Sequence, residues 1–395
     1  MLAGKLKTII RWASRTVIQP SLRRHAIIFR FENNELVSVK KTGGCVKQIF
    51  TFENLLEAHE LCRLHKQHKR GTIMFEMEAA SNIHKLVKEL ANKTYKLGKY
   101  KIFRIYDPKE RLIEALPYKD RVVLMCFCKK AIEPRLENRL IYDNAASRKK
   151  KGSDFAMDRL YGFMRKLFIN TGGNNFYFLK CDISKYFQSI DHDILIEKLR
   201  RCGFSEDEMW FMEMVIRAPR GSEARGVPLG NQTSQWFALL YLDDIDRLIK
   251  EKLRVTGYVR YMDDFILLGE SKEFLRNCKT EIEKACAEKL LLKLNAKTQI
   301  GMVKNGVDFL GYNHKLTVTG KITKSIRASA RERQKRYLKT IAYYYMAGVL
   351  DDDYIASRQA SFLAHAAGTK DRKFLNNRLN SLKRAKRLTE NGLSH

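Results

Sequence analysis

The sequence predicts an α+β fold that ends in a helical, strongly basic C-terminal part. Three observations carry this reading. Short β-rich apolar runs, FYFLK at 176–180 and YVRYMDDFILLG at 258–269, lie between long stretches of helical periodicity such as 272–290. From about 325 to 388 the chain reads as helices alone, rich in Lys and Arg. With 395 residues, 45% of hydrophobic type, the chain can build two or three domains.

Residues 1–31 contain no acidic residue. Leu2, Leu6, Ile9, Ile10, Ala13 and Val17 fall on one helical face, with Lys5, Lys7, Arg11 and Arg15 elsewhere. Such a helix suits an organelle transit peptide or a membrane surface. Because the chain starts at Met1, a retained nucleic-acid-binding arm is the expectation. Residues 26–50 read as a β-hairpin with turns at Asn33-Asn34 and Gly43-Gly44. Helices follow over 53–70 and 80–97, then short strands and basic turns over 100–125. A helix over 155–169 is broken by Thr171-Gly172-Gly173-Asn174-Asn175, after which NNFYFLKCDISKYFQSID reads as a strand running into a short helix. A helix over 193–216 leads to a loop at 220–230 with Gly221, Gly226, Pro228 and Gly230. A helix over 232–253, the hairpin at 258–269, a helix over 272–290 and strands near 297–303 and 307–319 complete the mixed part.

Net charge is +31, from 75 Lys and Arg against 44 Asp and Glu. An excess of this size calls for an acidic partner, and nucleic acid is the usual one. Eight scattered Cys, with no second pair at zinc spacing beside Cys126 and Cys128, read as reduced buried thiols of a cytoplasmic protein. His59, Cys62, His65 and His68 recur every third residue, but Lys66, Lys69 and Arg70 crowd them, so a basic RNA-facing helix is expected before a zinc site. No run approaches the roughly 20 apolar residues of a membrane span, so no membrane partner is expected.

Asp263 and Asp264 lie side by side within a stretch that otherwise favours burial. Adjacent like charges repel, and each loses hydration there. A divalent cation would resolve the conflict, because Mg²⁺ takes oxygen ligands; a solvated acidic turn is the alternative. The pair Asp243-Asp244 stands in an amphipathic helical setting and reads as a solvated face. Asp182 follows the strand FYFLK and offers a third carboxylate, with the Ile183 carbonyl beside it; alone, it could equally cap the following turn.

In order, strand–Asp182–Phe187, the glycine loop and Tyr261-Met262-Asp263-Asp264 resemble motifs A, B and C of reverse transcriptases. The resemblance covers roughly 52–320. It implies a right-hand polymerase: a basic extension at 1–51, fingers and an antiparallel palm over 52–320, and a helical basic thumb over 321–395. It also implies two Mg²⁺ ions, or Mn²⁺ in their place, held by Asp182, Ile183, Asp263 and Asp264. Asn295-Ala296-Lys297-Thr298 resembles motif D, whose Lys297 would be the general acid for pyrophosphate departure. Phe309, Leu310, Gly311 and Tyr312 resemble the primer grip. In DPKERLIEALPYKDRVV (107–123), Lys109, Arg111 and Arg121 would meet the triphosphate or template, and Phe187 would exclude a ribose 2′-hydroxyl. Basic side chains of the tail, Arg331, Arg333, Lys335, Arg336 and Lys339 early and Lys383, Arg384, Lys386 and Arg387 late, would track an RNA–DNA duplex.

The motif B loop GVPLGNQTSQ (226–235) has Leu229 before Gly230, and Gln235 after Ser234. That pattern resembles reverse transcriptases of diversity-generating retroelements, as do 52–58, 86–123 and 144–160. Leu229 cannot hydrogen-bond the sugar of an incoming nucleotide, so positioning would loosen and copying become error-prone. Implied partners are template RNA, a DNA or RNA primer, dNTPs, and a basic accessory protein or structured noncoding RNA, in a bacterial or phage-encoded system. An anti-phage defence or retron-type enzyme remains open through residues 1–50 and LTVTGK at 316–321. A more distant alternative is an RNA-binding protein with an inactive polymerase fold.

Overall fold

The computed structural model describes residues 28–32, 35–39, 46–106, 110–218, 225–378, 380–381 and 384. The N-terminal segment 1–27, the turns expected at Asn33-Asn34 and Gly43-Gly44, and Lys109, Gly221, Lys383, Lys386 and Arg387 lie outside them. Strands β1 (Ile28–Glu32) and β2 (Glu35–Val39) pair as an antiparallel ribbon. Strands β3 (Lys101–Ile105) and β4 (Arg111–Ala115) form a second, exposed one. Next come β5 (Tyr177–Cys181), β6 (Gly257–Tyr261), β7 (Asp264–Gly269) and β8 (Gln299–Met302), which build an antiparallel sheet in the order β6-β7-β5-β8. Strands β9 (Val307–Phe309), β10 (Tyr312–Leu316) and β11 (Ile322–Ile326) make a three-stranded sheet beside it.

The central sheet is buried on both faces. Leu179, Cys181, Phe265 and Leu267 face one core, shared with Leu275, Ile282 and Cys286 of the helix Lys272–Leu290. Phe178, Val259, Ile266 and Leu268 face the other, with Leu160 and Met164 of the helix Ser153–Thr171. Covering both faces explains why β7 reads as an unbroken apolar run rather than an alternating one. Beyond β11, the helices Ala328–Met346 and Asp352–His365 and a helix over 372–378 close around Ile326, Leu338, Ala366 and Leu375. Arg333, Lys335, Arg336 and Lys339 lie on the exposed side of the first of these.

The helix Lys272–Leu290 spans the residues its sequence pattern indicates, and it begins at the Ser271 side chain, which accepts from the backbone N–H groups of Glu273 and Phe274. Other elements differ from expectation. Val46–Ile49 is helical rather than strand, and the helix expected over 53–70 divides into Phe52–Arg63 and Arg70–Glu76, with His65 at φ 59 between them. His59 does not face RNA: it is 2% exposed, and its ring meets the Tyr118 hydroxyl at 3.0 Å. Residues 118–127 form a helix because Val122, Val123, Leu124, Cys126 and Phe127 are all buried. The helix expected over 193–216 breaks at Gly203 (φ 75) and restarts on a capping box of Ser205 and Glu208. Asp243 is no solvated residue: it is 1% exposed and pairs with Arg247 at 3.0 Å, whereas Asp244 is half-buried and pairs with Lys198 at 2.6 Å. The seven described cysteines are free thiols. Among the described residues no helix is long and apolar enough to cross a membrane.

Candidate active site

Register builds the site. In the β5–β7 pairing Cys181 faces Phe265, so one further step sets Asp182 across from Asp264. β6 and β7 join through a two-residue turn closed by the pair Tyr261–Asp264. Met262 opens that turn at φ 57, a left-handed conformation that costs a non-glycine residue about 1–3 kcal/mol. The turn lifts Asp263 beside Asp182, and their carboxyl groups come within hydrogen-bonding contact. Asp182 and the adjacent pair Asp263-Asp264, distant in sequence, therefore meet at one end of a sheet whose faces are otherwise closed.

The electrostatics follow from that crowding. Burial pushes the Asp263 carboxyl up to about 6, and the charges of Asp182 and Asp264 push the same way. Burial also raises Asp264, opposed by Lys180, whose Nζ stands 3.3 Å from Asp264 Oδ1. Lys180 lies diagonally across the β5–β7 pairing, and its Nζ also donates to the Asp308 carbonyl of β9 at 2.7 Å. Asp264 Oδ1 is buried, and the Lys180 approach leaves it without a well-formed hydrogen bond.

These features fit a hard divalent cation. The ligating atoms are oxygens, their negative charge is in excess, and one buried carboxylate oxygen is unsatisfied. Among the described residues no group of three or more His, Cys, Asp or Glu closes into a ready-made cage. Mg²⁺ seldom uses such a cage; it is commonly held by one or two carboxylates, waters and the phosphates of a substrate.

Around the acids the other expected residues fall into two sets. Ile183 is buried and bridges Leu294, and Ser184 N donates to Lys293 O at 2.9 Å, so the 293–295 segment runs along the end of β5. Lys297 is exposed there, its backbone N–H donating to Asn295 Oδ1 at 3.1 Å. Phe187 is half-buried, and its carbonyl accepts from Val227 N at 2.8 Å, which locks the glycine loop onto the helix Tyr186–Ser189. Gly226, at φ 87, allows this: a Cβ there would stand 3.2 Å from the Gln188 backbone. Leu229 O accepts from Glu114 N of β4 at 3.4 Å, and Asn231 Nδ2 donates to the Tyr100 hydroxyl at 2.9 Å, so the β3–β4 ribbon and the loop are tied together. Gly230 (φ 126) lies between those ties, and Gln235 Oε1 accepts from Ser147 Oγ at 2.7 Å. Phe309, Leu310, Gly311 and Tyr312 form the β9–β10 turn, with φ positive at both central residues as in a type I′ hairpin, and Lys180 connects it to the acids.

Arg111 is exposed at the start of β4. Arg121 is separate: it stacks over the Tyr118 ring at 5.3 Å and packs beside Cys62. The residues that sequence reasoning missed are Asn295, Lys180 and the buried pair Arg260–Asp246. Lys180 carried a readable signal, a cation two residues before an acid on a buried strand. Asn295 stood inside the motif D stretch but was passed over for its lysine.

The family model described as reverse transcriptase (RNA-dependent DNA polymerase) matches residues 108–314, just over half of the 395. No curated protein matches the chain. Among solved structures, apo telomerase from Candida tropicalis truncated from its C-terminal domain aligns at 16% identity and a TM-score of 0.45, over 58% of this chain and 55% of that one. Telomerase from Candida albicans in complex with a fragment of telomeric RNA aligns at 17% identity and a TM-score of 0.43, over 67% of this chain and 55% of that one. This chain thus spans about half the length of those telomerase chains.

Proposed function

Since the chain belongs to the reverse transcriptase (RNA-dependent DNA polymerase) family, we propose that it extends a primer with deoxynucleotides on an RNA template. The contact between the Asp182 and Asp263 carboxyls, with Asp264 across the same sheet end, carries this reading. Asp182, Asp263, Asp264 and the Ile183 carbonyl would hold two divalent ions, which when bound supply activation of the primer 3′-hydroxyl and neutralisation of the leaving pyrophosphate. The chain's own residues do the rest. Phe187 and the 226–231 loop shape the sugar pocket, Arg111 on the exposed ribbon meets phosphate, and Lys297 delivers a proton to the pyrophosphate. The β9–β10 turn holds the primer terminus, and the exposed Arg and Lys of the helix Ala328–Met346 follow the RNA–DNA duplex.

Within that activity, the finer reading is an error-prone enzyme of a diversity-generating retroelement, acting on a dedicated template RNA. Leu229 supports it: an aliphatic side chain at the loop supplies packing but no hydrogen bond to the incoming nucleotide. Primer extension on poly(rA)/oligo(dT) with dTTP and Mg²⁺, with Asp263→Ala as control, tests the polymerase reading; no extension by the wild type refutes it. Sequencing cDNA copied from the native RNA tests the finer one. Errors concentrated at template adenines support it, and faithful copying points to a retron-type or defence enzyme.

A further inference from the structure

Beneath the Met262-Asp263 turn lies an ion pair to which the proposed reaction gives no role. Arg260 on β6 and Asp246 in the helix Asp243–Arg247 are both 0% exposed. The guanidinium donates from Nε to Asp246 Oδ1 at 2.7 Å and from Nη2 to Oδ2 at 2.5 Å, a two-pronged pairing. Nη2 also donates to Leu239 O at 3.1 Å, and the Tyr258 hydroxyl donates to Asp246 Oδ1. The remaining prong, Nη1, donates to the carbonyl of Met262 at 2.9 Å. On the backbone side, Arg260 N donates to Asp143 O at 3.0 Å and Ala145 N to Arg260 O at 2.9 Å, so the strand itself is clamped.

Stability alone is a poor explanation for such a pair. Desolvating two charges is costly, and well-packed apolar residues in their place are often neutral or stabilising. Apolar residues could not, however, reach the Met262 carbonyl. Met262 occupies a left-handed conformation without being glycine, and such a residue persists only where its surroundings over-determine it. Fixing its carbonyl fixes the plane of the Met262–Asp263 peptide, and with it the direction in which the Asp263 side chain leaves the turn. Asp246 in turn holds the guanidinium plane, because the fork has one orientation that satisfies both carboxylate oxygens.

We infer that the Arg260–Asp246 pair is the positioning device of the acidic turn, setting Asp263 against Asp182. Neither residue touches substrate; they act through the Met262 carbonyl. The inference rests on the polymerase reading above.

The test replaces both charges together. Arg260→Met with Asp246→Leu removes the pair without leaving a lone buried charge, but it unpairs the Tyr258 hydroxyl and the Leu239 and Met262 carbonyls, so the double variant is expected to melt several degrees lower and is assayed well below its melting temperature. Single-nucleotide addition on an RNA–DNA primer-template should nevertheless fall on the order of 10²-fold in kcat, with primer-template Kd unchanged and Mg²⁺ half-saturation raised several-fold. A double variant with wild-type kcat and Mg²⁺ dependence overturns the inference. If the double variant does not fold, Arg260→Lys decides: it keeps the charge but not the fork, and is expected to fold and lose kcat likewise, whereas wild-type kcat in it overturns the inference. Wild-type extension and its loss in Asp263→Ala are measured alongside. An inactive wild type sinks the polymerase reading and this inference with it; an active wild type beside an unaffected pair variant sinks the inference alone.

Discussion

Asn295 holds Asp182 twice: its Nδ2 donates to Asp182 Oδ2 at 3.0 Å, and its backbone N–H donates to the Asp182 carbonyl at 2.7 Å. The side-chain bond fixes one carboxylate rotamer and leaves the other oxygen, Oδ1, for a further partner. Asn295→Ala keeps the backbone bond and frees the carboxylate. Extension should slow about tenfold or more while stability falls by about 1–3 kcal/mol, because two side-chain hydrogen bonds are lost, one to the Asp182 carboxylate and one from the Lys297 backbone N–H. Pre-steady-state nucleotide addition and thermal melting measure the two separately.

Asp263 sits at about 6, against about 3.9 for an unfolded Asp. The folded chain therefore binds that proton more tightly than the unfolded chain. Its contribution to stability falls as pH rises from about 4 to about 6, and the cost is fully present at neutral pH. Without divalent metal, Asp263→Asn should raise Tm at neutral pH, by on the order of 1 kcal/mol of stability, and make little difference near pH 4. Adding Mg²⁺ should raise the wild-type Tm more than that of the variant. Melting curves over pH and Mg²⁺ give the answer, and a wild type more stable than the variant in metal-free neutral buffer contradicts it.

Lys180 stands between Asp264 and the β9 backbone. Lys180→Met keeps the packed stem and deletes the charge. Asp264 is then released to a cation while the β9–β10 turn loses its tie. Mg²⁺ half-saturation should fall and KM for primer-template should rise, each a few-fold, in a titration of the extension assay. An unchanged Mg²⁺ curve would show that the lysine does not compete for Asp264.

At Gly226 a methyl group would press on the Gln188 backbone at 3.2 Å, and its φ is 87. Gly226→Ala should cost about 1–3 kcal/mol by strain. Because the loop is bonded to Phe187 through Val227, KM for dNTP should rise as well. Steady-state kinetics across dNTP concentrations check this, with Gly162→Ala, where a Cβ meets nothing within 4 Å, as the neutral comparison.

Much of this was legible in the sequence. The strand–turn–strand around Asp263 and Asp264 follows from apolar β-formers flanking an acidic pair, and the helix Lys272–Leu290 from its periodicity. Helix boundaries were less legible. Tyr95, Asp120 and His59 are polar-tipped residues that the fold buries by pairing them, and their pairing partners lie far along the chain.

By itself the amino-acid order determined which local elements form, where the acids stand on them, and how much positive charge the surface carries. Those are properties of neighbouring residues, set by periodicity, capping and turn chemistry. Only the tertiary structure decided that Asp182 meets Asp263, that Asn295 and Lys180 restrain the acids, and that Asp246 is a buried partner of Arg260 rather than part of a wet helix face. Those contacts depend on strand register and on the approach of distant segments, and a slip of one residue would turn every side chain of β5 to the opposite face.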